Sequence, residues 1–249
     1  MWLLDPSISL WLLPLVAVMA ILYSSVGYGG AFGYLAAMAL FGLDPAVMKP
    51  AALTMNIFVT LLVLWRFSRT GPFNWRLFLP FAVASVPMAF IGGAYIINSS
   101  TYRILVGLAL LLAMWRLLWE GRDSDHIQAP ALWIALPVGA VLGLVSGLTG
   151  VGGGIFLSPL LLLFHWANMR GCIAIAAAFI LLNSLAGLAG YASTATQWPA
   201  GIPLLVVTAV LGGLIGAELG ARRLAPRHLR KVLALVLAVA GVKMIATAW

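Results

Sequence analysis

Long apolar segments follow one another along the whole chain, and they restrict its fold more than any other feature. They lie at about 8–28, 32–43, 50–66, 77–97, 102–119, 131–149, 155–166, 171–193, 201–221 and 230–248. A helix needs about 20 apolar residues to cross a bilayer. Only 8% of the residues are charged, whereas a soluble domain has about 25%. We therefore expect an all-α membrane protein with about 8–10 membrane segments.

Two of these segments, 32–43 and 155–166, are too short to cross a bilayer alone. Each follows a glycine cluster, GYGG at 27–30 in the first case and GVGGG at 150–154 in the second. The pattern predicts a broken or re-entrant pair of half-helices at each cluster.

The clusters belong to an internal repeat. When the sequence is aligned with itself at an offset of 123 residues, seven Gly, Pro or Trp residues align with a residue of the same type. So many matches of rare residue types indicate a duplication. We expect repeats at 1–119 and 131–249, joined by a polar linker at 120–130. The matching pairs are Pro14 and Pro137, Gly27 and Gly150, Gly29 and Gly152, Gly30 and Gly153, Trp75 and Trp198, Pro80 and Pro203, and Gly93 and Gly216.

Loop charges predict that the repeats have opposite orientations. The loop 66–76 has three arginines and its counterpart 194–199 has none, whereas 221–231 has five basic residues and its counterpart 98–103 has one. Because cytoplasmic loops are rich in Lys and Arg, equivalent loops should face opposite sides of the membrane, as in many transporters. This places the linker in the cytoplasm and both chain ends in the periplasm. The first apolar run lacks the pattern of a cleaved signal, so we expect it to be retained.

The two glycine clusters are candidate anion sites. A break in a membrane helix exposes backbone N–H groups, and the following helix N-terminus carries a positive dipole end. Two inverted breaks would meet near the membrane centre. The alternative is that the glycines only allow close helix packing. The predicted substrate-binding residues, which include nearby polar side chains, are Gly27, Tyr28, Gly29, Gly30, Thr54, Asn56, Thr149, Gly150, Gly152, Gly153, Gly154 and Asn183.

The polar side chains have alternative roles. Asn56 and Asn183 could donate N–H groups to an anion or could hydrogen bond between helices. Thr54, Thr149, Ser146 and Ser158 are weaker candidates, because such hydroxyls often bond to their own helix.

Three charged residues near the apolar segments are further candidates. Lys49 and Arg170 follow a Met just before equivalent segments, where they could attract an anion or extend to the lipid headgroups. Glu218 is the only acid inside an apolar run and could couple transport to protons. The alternative for Glu218 is a helical ion pair with Arg222.

The sequence gives little support to other chemistries. The single Cys172 excludes an internal disulfide framework, and the three scattered histidines form no HExxH motif. The clusters complete neither a P-loop nor GxGxxG. We therefore expect no enzyme activity, no cofactor, no metal site and no nucleic-acid partner. The expected partners are a small anion and the lipid bilayer, with a second copy of the chain as a further candidate.

These motifs resemble the TauE/SafE family of sulfite exporters and sulfonate permeases. The similarity rests on GVGGGIFLSPLLLL at 150–163, its weaker copy GYGGAFGYLAAMAL at 27–40, Trp75 and Trp198, and GGLIGAELGARR at 212–223. The resemblance implies a bacterial inner-membrane transporter that exports a sulfur-containing or small organic anion. The alternative function is a non-transporting accessory or assembly subunit, in which the glycines are packing devices.

Overall fold

The computed structural model describes residues 6–25, 29–67, 73–118, 128–195, 198–222 and 227–249. Within these ranges the regular structure is helical, which confirms the predicted all-α fold. The ten helices fall close to the ten apolar segments of the sequence. They are α1 Pro6–Ser25, α2 Ala31–Leu40, α3 Pro45–Phe67, α4 Trp75–Ala94, α5 Ser99–Leu118, α6 Leu132–Thr149, α7 Gly154–Leu163, α8 Met169–Thr194, α9 Ile202–Arg222 and α10 Arg227–Ala246.

Local capping accounts for where several of the helices begin. The Asn74 side chain accepts a 3.1 Å hydrogen bond from Leu77 N at the start of α4, and Asn168 accepts one of 2.8 Å from Gly171 N at the start of α8. Asparagine is a strong N-cap because its carbonyl satisfies a free N–H of the first turn. The two short helices begin differently, at left-handed glycines. Gly30 has φ +93° before α2, and Gly153 has φ +75° before α7.

The two short helices turn back instead of continuing across the molecule. Each has 10 residues, about half the length of a span. Gln128, before α6, donates from its backbone N to the carbonyl of His165, after α7, at 3.0 Å. The end of α7 therefore lies beside the start of α6. In the first half, a methyl group placed on Gly33 of α2 would lie 2.7 Å from Met19 Cβ of α1. The described glycines of both clusters, at 29–30 and 150–154, thus lie at the tips of helical hairpins.

Helices of the two halves pack closely against each other. Gly139, Gly143 and Gly147 lie along one face of α6, and a methyl group on any of them would approach a backbone oxygen of α4 within 2.1–2.5 Å. Gly212 and Gly216 bring α9 equally close to α1. The contacts are equivalent, since α6 corresponds to α1 and α4 to α9. Small residues allow such close approach in membranes, so these glycines are packing residues.

Corresponding helices of the two halves also pack on each other, and they run antiparallel. Along α3 and α8, Asn56 contacts Ser184 while Leu53, nearer the start of α3, contacts Gly187, further along α8. Arg103, near the start of α5, donates to the hydroxyl of Thr247, which directly follows the end of α10. Antiparallel packing is compatible with inverted repeats, although the orientation of each half in a bilayer stays a prediction.

Among the described residues, six helices are long and apolar enough to cross a membrane. Large apolar side chains are exposed along these helices, as expected for surfaces that contact lipid. The division into repeats at 1–119 and 131–249 stays a prediction, and residues 120–127 of the proposed linker lie outside the described part of the chain.

Candidate functional site

The two glycine breaks converge on one buried place between α3 and α8. A methyl group on Gly29 would lie 3.0 Å from Asn56 Oδ1 and 3.3 Å from Ile180 Cγ2. A methyl group on Gly152 would lie 2.7 Å from the same Ile180 atom and 3.1 Å from Asn56 Nδ2. The tips of both hairpins therefore contact the same two side chains, one from each half.

The first turns of α2 and α7 meet at this place. The rings of Phe32 in α2 and Phe156 in α7 pack edge to face, with their centroids 5.4 Å apart. The N-termini of both helices, which are the positive ends of their dipoles, therefore lie near Asn56.

Several N–H groups at these helix starts bond to no described backbone acceptor. The first N–H of α2 that bonds to a described backbone acceptor is that of Tyr34, which donates to Gly30 O at 3.0 Å. Within the described residues, the N–H groups of Ala31, Phe32 and Gly33 have no such acceptor. The same holds for Ile155 in α7, whereas Gly154 donates to Gly152 O at 3.0 Å. Free N–H groups at a helix N-terminus form an anion site.

Left-handed backbone positions surround these N–H groups. Gly30, Gly150, Gly152 and Gly153 have φ between +75° and +93°, a conformation that costs other residues about 1–2 kcal/mol. These glycines differ from the packing glycines of α6, because the backbone conformation itself requires them. Gly29 belongs to the same tip, whereas the predicted residues Gly27 and Tyr28 lie outside the described residues.

Asn56 is the central polar side chain and is fully buried. Its Nδ2 donates to Val151 O at 3.4 Å and to Ser184 Oγ at 3.5 Å, so it connects the first half to the second glycine break. Its Oδ1, on the side of Gly29, accepts no hydrogen bond from any described residue. A buried unsatisfied acceptor is uncommon and requires an explanation.

The other predicted polar residues are held mainly by their own helices. Thr54 donates to Pro50 O at 2.7 Å, Thr149 to Val145 O at 2.6 Å, and Ser158 to Gly154 O at 2.8 Å. Asn183 donates to Phe179 O at 2.8 Å, and within the described chain its Oδ1 and the Ser146 hydroxyl have no partner. The hydroxyls of Thr54 and Thr149 are thus already used within their helices.

Lys49 caps the end of α4. Its Nζ donates to the carbonyl oxygens of Gly92 at 3.0 Å, Gly93 at 2.8 Å and Tyr95 at 3.3 Å. Lys49 lines a cavity of ≈ 380 Å³ between the starts of α3 and α5 and the ends of α4 and α8. The backbone of Lys49 also lies against Gly150, since a methyl group there would be 3.0 Å from Lys49 O. An anion-attracting role stays a prediction for Lys49 and for Arg170, whose side chain lies outside the described part.

Glu218 forms an ion pair with Arg66 of α3. The distance from Glu218 Oε2 to Arg66 Nη2 is 3.0 Å, and both side chains are partly exposed, at 48% and 31%. The sequence suggested a structural ion pair with Arg222, but the described partner comes from a different helix. The Arg222 side chain lies outside the described residues. A coupling role for Glu218 stays a prediction.

Sequence reasoning missed four residues at the site. Thr60 and Ser184 flank the two glycine tips, Ile180 contacts both, and the Tyr102 hydroxyl donates to Thr149 O at 3.0 Å. A comparison at an offset of 124 residues would have matched Thr60 with Ser184 and Asn56 with Ile180. No group of three or more His, Cys, Asp or Glu that could hold a metal occurs among the described residues.

The fold and the paired breaks define a class of protein: multi-pass helical membrane proteins in which two glycine-broken hairpins, one from each half of the chain, meet in the interior. Similar broken helices occur in many secondary transporters. The family model for the sulfite exporter TauE/SafE matches residues 12–244. The chain therefore belongs to the TauE/SafE family, as its motifs predicted.

Curated relatives agree with the family match. The chain is 35% identical to the probable membrane transporter protein y4hK of Sinorhizobium fredii, over 92% of this chain and 94% of the relative. It is 27% identical to a probable membrane transporter protein of Methanocaldococcus jannaschii, over 95% and 96% of the two chains. It is also 24% identical to YjnA of Bacillus subtilis, another probable membrane transporter protein, over 88% and 92%. No solved structure matches the chain significantly.

Proposed function

We propose that the protein is a secondary transporter that exports a small sulfur-containing anion, such as sulfite or a sulfonate, across the bacterial inner membrane by alternating access. The observation that carries this proposal is the convergence of the two hairpin tips on Asn56. Helix N-termini with free N–H groups favour anions and need no basic side chain. The sulfur chemistry of the substrate follows the name of the family.

Export fits the small number of acids inside the apolar segments. With the inside of the cell negative, an anion gains about 2.3 kcal/mol per charge for each 100 mV when it leaves. A coupling carboxylate is then unnecessary. The one acid inside an apolar segment, Glu218, is held by Arg66 at 3.0 Å. In this proposal Glu218 has a structural role, and both chain ends lie in the periplasm.

A difference between equivalent contacts supports alternating access. In the second half, α10 packs on α2 of the first half, and Lys243 Nζ donates to Leu40 O at 2.5 Å. The equivalent pair is α5 and α7, and between them lies an apolar cavity of ≈ 640 Å³. In the proposed cycle the two pairs exchange these arrangements, so that α5 closes on α7 as α10 leaves α2.

The test is anion flux in proteoliposomes that contain the purified protein. Vesicles loaded with radiolabelled sulfite or 2-hydroxyethanesulfonate should release the anion faster when a potassium gradient with valinomycin makes the interior negative. Vesicles without protein give the background. If no sulfur oxyanion or sulfonate crosses faster than in the control vesicles, the transporter proposal fails and the accessory-subunit alternative is favoured.

A further inference from the structure

The contact of Asn56 Nδ2 with the Val151 carbonyl oxygen favours one orientation of the amide. Nδ2 donates to the carbonyl oxygen of Val151, which can only accept. If the amide were rotated by half a turn, Oδ1 would face that carbonyl oxygen and the two would repel each other. Oδ1 therefore faces Gly29, where a methyl group would lie 3.0 Å from it.

The acceptor at Oδ1 finds no donor among the described side chains around it. The Thr60 hydroxyl donates to the Asn56 carbonyl oxygen at 2.5 Å, and the Thr60 methyl group faces Gly29. Asn56 has 0% exposure. Leaving a buried acceptor unsatisfied destabilises a protein, so a ligand that brings a donor to this atom would bind more tightly than one that does not.

A ligand at this place would need both hydrogen-bond acceptors and a hydrogen-bond donor. The N–H groups of Ala31, Phe32 and Gly33 at the start of α2 can only donate, and they suit anionic oxygens. Oδ1 can only accept. In the second half, the residue that corresponds to Asn56 at the offset of 124 residues is Ile180, whose side chain has no acceptor. A complementary ligand therefore has several acceptor oxygens and one O–H or N–H group.

We propose that the transported anion carries its own hydrogen-bond donor, which Asn56 Oδ1 accepts while the N-termini of α2 and α7 bind the anionic oxygens. This inference rests on the proposed function and specifies its substrate class. The class includes protonated oxyanions and hydroxy- or amino-substituted sulfonates. Unsubstituted alkyl sulfonates and fully deprotonated oxyanions lie outside it.

The test compares two ligands that differ by one hydroxyl group. Ethanesulfonate and 2-hydroxyethanesulfonate are both monoanions with two carbons, and their affinities for the purified full-length protein can be measured by isothermal titration. The wild type should prefer 2-hydroxyethanesulfonate about tenfold, which equals about 1.4 kcal/mol. In Asn56→Leu the preference should fall to about one, because the acceptor is absent. Thr208→Val is the control, since that exposed hydroxyl bonds only to Leu204 O of its own helix.

The outcomes separate this inference from the proposed function. If the wild type binds both sulfonates equally well, the donor requirement is wrong whether or not Asn56→Leu folds, while anion transport stands. An unchanged tenfold preference in a folded Asn56→Leu protein would also overturn it. If neither sulfonate nor sulfite binds at any concentration, both the proposed function and this inference fail.

Discussion

Asn56 Nδ2 donates to the carbonyl oxygen of Val151 at 3.4 Å, so a side chain of the first half contacts the glycine break of the second. Across the same space, the Gly29 tip of the first half contacts Ile180 of the second. The candidate site therefore belongs to neither half alone. A movement of one half against the other would change the site directly, which is what alternating access requires.

The first prediction concerns Gly152→Ala. Gly152 has φ +84°, and a methyl group there would lie 2.7 Å from Ile180 Cγ2, so the substitution strains the backbone and intrudes on the site. We expect anion binding to be lost and thermal stability to fall. Gly42→Ala is the matched control, because Gly42 has φ +69° but open space around it. Gly42→Ala should lower the free energy of unfolding by about 1–2 kcal/mol and leave anion binding intact. Isothermal titration and thermal unfolding measure the two effects.

Gly147→Ala separates a packing role from a site role. Gly147 lies in a helix, and a methyl group there would lie 2.1 Å from Ala89 O, so the substitution pushes α6 away from α4. We expect a loss of stability, with the affinity of the folded fraction for anions changed less than in Gly152→Ala. Equal effects of the two substitutions on affinity, per folded molecule, would support the view that all the glycines are packing residues.

The third prediction is that Glu218→Gln leaves transport largely unchanged. The carboxylate pairs with Arg66, and both side chains are partly exposed, so the substitution should cost less than about 1 kcal/mol. Anion flux in proteoliposomes checks the expected transport, and thermal unfolding checks the expected stability. Loss of flux in a well-folded Glu218→Gln protein would instead indicate proton coupling through this carboxylate.

The fourth prediction concerns Lys49→Met. The substitution leaves the carbonyls of Gly92, Gly93 and Tyr95 without their shared donor, and each buried acceptor left unsatisfied costs about 1–3 kcal/mol. We expect a fall in the unfolding temperature of several degrees. Lys49→Arg keeps N–H donors at this place, so its unfolding temperature should lie between those of Lys49→Met and the wild type. A Lys49→Met protein as stable as the wild type would show that the cap contributes nothing.

The fifth prediction tests the orientation of the halves. Ser100 and Arg76 are exposed and lie on opposite sides of the proposed bilayer, so each can be replaced by a single cysteine. The native Cys172 is buried. In a Cys172→Ser background, a membrane-impermeant maleimide added to intact spheroplasts should label Ser100→Cys at once. It should label Arg76→Cys only after the membrane is permeabilised. The opposite pattern would reverse the assigned orientation.

The apolar segments and glycine clusters predicted much of the fold because apolar length and glycine have strong local effects. The glycine clusters placed the starts of α2 and α7 to within a residue or two, and the short apolar runs predicted their length. The clusters alone did not show that both helices turn back. That result depends on packing, such as the contact between Gln128 and His165.

The details of the site depend on which faces of α3 and α8 meet. Asn56 was identifiable as a polar residue in an apolar segment, but Thr60 and Ser184 were not, because hydroxyls are common in membrane helices and usually bond to their own backbone. The ion pair of Glu218 with Arg66 was missed because Arg66 lies on another helix, far away in sequence. The free Oδ1 of Asn56 could be found only from the three-dimensional arrangement.

Equilibrium binding of a sulfonate to the Asn56→Asp protein tests the central claim most directly. The substitution changes one NH₂ group to oxygen and puts a carboxyl group, which repels an anion when it is ionised, between the two hairpin tips, where an anion is proposed to bind. We predict that the wild type binds 2-hydroxyethanesulfonate in isothermal titration and that a folded Asn56→Asp protein loses at least about 90% of the affinity, or about 1.4 kcal/mol. Unchanged affinity in Asn56→Asp would mean that the anion binds elsewhere, and the site between the glycine breaks would be wrong.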